Sequence, residues 1–96
     1  MSRLSLLQEN AESIKGIIRN YGAANVRVFG STAHQRDKKK SDIDLLIDWN
    51  QKHSLFDHIE LQQKLEDLLN AKIDLVVEKN LHWYVRDRIS HEAVAL

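Results

Sequence analysis

Between Asp42 and Trp49 the chain alternates: Ile43, Leu45 and Ile47 fall on one side of an extended strand and Asp42, Asp44 and Asp48 on the other, with Leu46 the one breach. A strand that is apolar on one side needs a layer to cover that side, so an all-helical fold is excluded. Lys72 to Glu78 repeats the pattern, with Ile73, Leu75 and Val77 opposed to Asp74, Val76 and Glu78. Val26 to Phe29 reads as a third, shorter strand that Gly30-Ser31 brings to a halt, and the stretch from His34 to Ser41 behind it is polar and basic. The helices announce themselves by a different period. Leu4, Leu7, Ala11, Ile14, Ile17 and Ile18 predict one helix ending near Gly22. Ser54-x-x-Asp57 resembles a capping box, opening a helix that carries Ile59, Leu61, Leu65, Leu68 and Leu69 to about Asn70. A last helix is expected from about Leu81 to Ser90, followed by the apolar tail Ala93-Val94-Ala95-Leu96, which must pack or pair with something. The order α-β-turn-β-α-β-α predicts an α/β (α+β) domain, a small sheet layered on helices.

With 96 residues, one domain over 1–96 is the expectation. Fourteen basic side chains balance fourteen acidic ones, so no overall field draws the molecule onto nucleic acid or an anionic membrane. Arg36, Lys38, Lys39 and Lys40 form the one dense basic cluster, which reads first as a solvated loop. No apolar run reaches the length of a membrane span, and the cytoplasm is the default compartment. The lack of cysteine removes disulfides, thiolate metal sites and thiol nucleophiles together, and the five histidines show no ligand spacing. Trp49, Trp83 and Tyr84 suit core or interface roles better than base stacking, since no basic residues interleave with them.

Chemistry concentrates on the acidic side of the strands. Carboxylates two residues apart on a strand point the same way, their Cα atoms roughly 6.5–7 Å apart, so Asp42 and Asp44 can converge on one hard cation. An isolated Asp-x-Asp is more often just the polar face of an edge strand. Asp74 alters that balance, because it holds the equivalent position on the next strand and three gathered carboxylates repel unless a cation compensates them. Gly30 lets an anion approach the backbone and Ser31 adds a hydroxyl donor, a pairing that suits phosphate but is also a common strand-to-turn junction.

The spacing gives the pair its weight: Gly30-Ser31, then the ten residues Thr32 to Ser41, then Asp42-Ile43-Asp44. With Val28-Phe29-Gly30-Ser31-Thr32-Ala33, Ser41-Asp42-Ile43-Asp44-Leu45-Leu46-Ile47 and Lys72-Ile73-Asp74-Leu75-Val76, the chain resembles the DNA polymerase beta-like nucleotidyltransferases. Within them it is most similar to the minimal nucleotidyltransferases (MNT), which are often encoded beside a HEPN partner. The ending Val85 to Val94 is similar to the family's C-terminal helix.

The resemblance implies a small mixed sheet flanked by helices, with Asp42, Asp44 and Asp74 as catalytic residues and Mg²⁺ ligands. It also implies that Gly30 and Ser31 contact the phosphates of ATP, and that AMP passes to a hydroxyl, a tyrosine of a HEPN toxin, which makes the chain an antitoxin. Family members commonly carry Ala-Arg-Gly where this chain has Ala33-His34-Gln35, so Arg36, with Lys38, is the candidate to face phosphate instead. Arg86-x4-His91 resembles the signature of HEPN ribonucleases, but that motif belongs to a larger helical domain and is read here as coincidence. The competing reading is a non-catalytic antitoxin that neutralises the toxin by direct binding, and the retained aspartates argue against it.

Overall fold

The computed structural model describes residues 3–30 and 42–96. Among them are α1 (Arg3–Glu9), α2 (Ala11–Asn20), β1 (Ala24–Phe29), β2 (Ile43–Asp48), α3 (Leu55–Leu69), β3 (Ile73–Val77), a 3₁₀ turn (Glu78–Asn80), α4 (Trp83–Glu92) and β4 (Val94–Ala95). The four strands form one mixed sheet in the order β3-β2-β1-β4. β2 runs parallel to β3 and antiparallel to β1, and β4 runs antiparallel to β1.

The helix expected over residues 4–18 is two helices. The backbone N–H of Asn10 is shared between the Leu6 and Leu7 carbonyls, and its side-chain amide also donates to Leu6 O at 2.8 Å. That local bonding competes with continuation of the helix, so the apolar period runs on across a break. At the other end the sequence reading holds. Gly22 N–H donates to Arg19 O and Ala23 N–H to Ile18 O, the paired bonds of a Schellman ending, with Gly22 at φ +80 where a side chain would be strained.

The capping box at α3 is present in both directions: Asp57 N–H donates to Ser54 Oγ at 3.1 Å, and Ser54 N–H donates to the Asp57 carboxylate at 2.8 Å. Asn70, in the left-handed region, ends the helix.

α1, α2 and α3 cover one face of the sheet. Leu4, Leu7, Ile14, Ile18, Leu61, Leu65 and Leu69 meet Val26, Val28, Ile43, Leu45, Ile47, Ile73, Leu75 and Val77 in a single buried core. This is the apolar side that the alternation predicts. Trp49 belongs to the same core, donating Nε1–H to Tyr21 O at 3.0 Å with the His53 ring stacked on it at 3.8 Å. Leu46, the breach in the pattern, is fully buried on the opposite face and stands outside that core, with Arg27 and Val76 as its neighbours in register.

α4 is held by Ser90 Oγ, which donates to Glu78 at 3.3 Å, and by Arg86, which donates to Leu81 O at 3.2 Å. α4 buries none of its residues and leaves Trp83 and Tyr84 more than half exposed, so neither is a core residue. The apolar tail pairs, as it must: Val94 and Ala95 form β4 against β1, and Leu96 N–H donates to Val26 O. Among the described residues no helix is long and apolar enough to cross a membrane.

Ser54→Ala removes the acceptor for Asp57 N–H and should cost about 1 kcal/mol. The expected readout is a melting temperature lower by roughly 4–8 °C in thermal unfolding followed by circular dichroism.

Candidate active site

Strand pairing decides what shares a row on the sheet's second face. Phe29 pairs with Asp44 across β1 and β2, and Asp44 pairs with Asp74 across β2 and β3. Neighbouring strands lie about 4.8 Å apart, so the two aspartates stand side by side, and Asp42 lies one pleat away along β2. Asp42 and Asp74 are exposed, while Asp44, between them, is half-buried.

When the Asp44 carboxyl holds a proton it can hydrogen-bond the neighbouring Asp74 carboxylate. Burial, then the charges of Asp74 and Asp42, then that bond push the Asp44 carboxyl up to about 6. Among the described residues, negative charge is therefore gathered here without a compensating cation. Among the described residues no three His, Cys, Asp or Glu side chains form a ready-made metal-ligand group. Asp44 and Asp74 touch, and Asp42 acts on Asp44 through its charge.

Gly30 ends β1 beside this row at φ +70, and a Cβ placed on it would press into the Asp44 carboxylate. Glycine is needed there twice over, for the backbone angle and for the room. The expected glycine corner and the expected acids are thus in direct contact. Ser31, Arg36 and Lys38, the other expected phosphate contacts, lie outside the described residues, as does His34.

Asp48, two pleats further along the same face, is a contrasting case. Arg27 bonds it at 2.6 Å and also approaches Glu78 at 3.5 Å, while the Asn25 amide donates to its other oxygen at 3.0 Å. Burial works against the charge of Asp48, but hydrogen bonding from the Asn25 amide and the charge and hydrogen bond of the Arg27 guanidinium help to outweigh it and hold the carboxyl below its usual range.

Asn25 supplies the means. At φ +55 it inserts one extra residue into β1 opposite β2, between the pairs Ala24–Asp48 and Arg27–Leu46. Sequence reasoning passed over Arg27. Its signal was a lone cation within an otherwise apolar strand, on the side opposite Val26 and Val28. One acid on this face is thus paired with a cation, and the row of Asp42, Asp44 and Asp74 has none among the described residues. Oxygen donors with unmatched negative charge, beside a glycine that leaves the backbone open, fit a hard divalent cation carrying phosphate.

Residues 12–96 match the family described as Polymerase beta, Nucleotidyltransferase. The chain is 34% identical over 99 residues to the protein adenylyltransferase MntA of Thermococcus cleftensis, covering 98% of each. It is 36% identical over 96 residues to a provisionally named protein adenylyltransferase of Methanocaldococcus jannaschii, again covering 98% of each. A solved minimal nucleotidyltransferase superposes with a TM-score of 0.88 at 35% identity, covering all of this chain and 97% of that one. The complex of a tri-AMPylated HEPN toxin from Shewanella oneidensis with its MNT antitoxin shares the fold, at a TM-score of 0.70 and 21% identity over 92% of this chain and 69% of that one.

The raised Asp44 carboxyl has a testable sign. In the unfolded chain Asp44 ionises near its ordinary 3.8, whereas the folded protein keeps the proton to about 6. The folded state is therefore penalised progressively as pH rises between these values, and fully above 6. In metal-free buffer Asp44→Asn should stabilise the fold above pH 6, on the order of 1 kcal/mol once solvent screening of a half-exposed group is allowed for. The gain should shrink to nothing near pH 4, as read from chemical denaturation across that range.

Proposed function

Because the chain belongs to the polymerase beta nucleotidyltransferase family, we propose that it transfers AMP from ATP to a tyrosine hydroxyl of a HEPN-type toxin and so acts as its antitoxin. The observation that supports this reading is the row Asp42, Asp44 and Asp74, without a cation among the described residues and with Gly30 set against Asp44. Asp42, Asp44 and Asp74 would hold Mg²⁺. When bound, the metal neutralises the triphosphate and orients its α-phosphorus for in-line attack.

The chain's own residues do the rest. Gly30 leaves the backbone at the end of β1 open to the β and γ phosphates, and Ser31, Arg36 and Lys38 follow it as the contacts that hold them. Asp74 would also help to take the proton of the attacking hydroxyl. An oxygen–phosphorus bond then forms at the α-phosphate as the bond to the β-phosphate oxygen breaks, and pyrophosphate leaves. Arg27 keeps Asp48 out of this chemistry by pairing with it.

The acceptor is a protein, and the exposed Trp83 and Tyr84 at the start of α4 offer it apolar contact. That same exposed surface favours the second reading, in which the chain silences the toxin by contact alone. We place the activity in the cytoplasm, within a single minimal domain.

Incubation with Mg²⁺, ATP and the HEPN partner should add an AMP-sized mass to the partner, read by intact mass spectrometry. Asp44→Asn should slow that addition by more than about a hundredfold, the scale on which losing one preorganised electrostatic group acts. A partner silenced equally by Asp44→Asn, with no added mass, would establish the contact reading.

A further inference from the structure

Among the described residues β3 is the outermost strand on its side of the sheet, so half of its backbone groups have no described strand to bond. Ile43 N–H donates to Lys72 O, which turns the backbone groups of Lys72, Asp74 and Val76 toward β2 and those of Ile73, Leu75 and Val77 outward. Two of these outward groups are met by side chains of α3. Glu66 accepts the Ile73 N–H at 3.0 Å, and the His58 ring nitrogen Nε2 stands 3.0 Å from Leu75 O. Facing a carbonyl, that nitrogen carries the hydrogen and donates it.

Ile73 and Leu75 are the residues on either side of Asp74, so the two bonds bracket the third acid of the row. His58 also stacks on Trp49, with centroids 6.2 Å apart, and Trp49 is itself buried and bonded to Tyr21 O. The bracket is rooted in the core.

Resting on the function proposed above, we infer that Glu66 and His58 are positioning residues for Asp74. They fix the height and tilt of the free edge of β3, and so decide whether the Asp74 carboxylate aligns with Asp44 for shared metal binding. Edge protection alone would need any polar cover along β3. Placement of Asp74 needs cover at its two neighbours, where it is found.

The test uses the full chain, with Mn²⁺ as probe and a non-hydrolysable ATP analogue present, and follows free Mn²⁺ by electron paramagnetic resonance. Glu66→Ala should weaken Mn²⁺ binding about tenfold, as loss of an outer support of a metal ligand does, and should speed hydrogen exchange at the Ile73 amide. Glu66→Gln keeps an acceptor oxygen and should restore binding to within about threefold of the parent. In an Asp74→Asn background, Glu66→Ala should add no further loss, because its effect passes through Asp74.

Parent-like Mn²⁺ affinity in Glu66→Ala with fast Ile73 exchange would reduce the bond to edge protection and overturn the inference, and so would a full additional loss in the Asp74→Asn background. If Glu66→Ala does not fold, His58→Phe, which keeps a ring on Trp49 but removes the donor, carries the same expectations. A parent that binds Mn²⁺ with nucleotide yet transfers no AMP defeats the proposed function alone, whereas a parent that binds no Mn²⁺ defeats both.

Discussion

The parallel pairing of β2 with β3 is the constraint on which this molecule turns. A parallel pair needs a crossover, and α3 supplies it while burying Leu61, Leu65 and Leu69 against the sheet. The pairing registers Ile43 with Ile73 and Leu45 with Leu75 on the core side, so packing fixes the alignment to the residue. The same alignment sets Asp44 beside Asp74 on the other side. A slip of one residue would expose the core and scatter the acids in a single step. Stability and the candidate site are thus specified by one register.

The second face is divided by charge. At one end of β2, Arg27 and Asn25 satisfy Asp48, and at the other Asp42, Asp44 and Asp74 stand without a cation among the described residues. Three carboxylates held this way are unfavourable for the folded chain by itself. The core on the opposite side of the sheet offsets that cost, and a bound divalent ion would relieve it. The stored repulsion and the capacity to bind are the same arrangement viewed without and with its counter-charge.

Much of this could be read before any coordinates. Alternation placed Asp42, Asp44 and Asp74 on the polar side of their strands, and Ser54 with Asp57 marked the start of α3, because both signals are local and repeat a backbone period. What escaped depends on contacts distant in sequence or on one side chain's choice of partner. Asn10 breaks a helix whose apolar spacing continues unbroken, since its amide bonds Leu6 O. Val94 and Ala95 needed a strand edge that only the assembled sheet provides. Arg27 reaches Asp48 across the β1–β2 pairing, beside the bulge at Asn25, and no count of charges along the chain reveals that. The adjacency of Asp44 and Asp74 was an expectation of spacing, and the register turned it into a contact.

The meeting of Gly30 and Asp44 binds two positions into one decision. Any side chain at 30 obliges the aspartate at 44 to shift, while a chain that no longer carries an acid at 44 loses half of its reason to keep glycine at 30. Change at either position would therefore relax the demand on the other, and a descendant retaining just one of them would have lost that coupling.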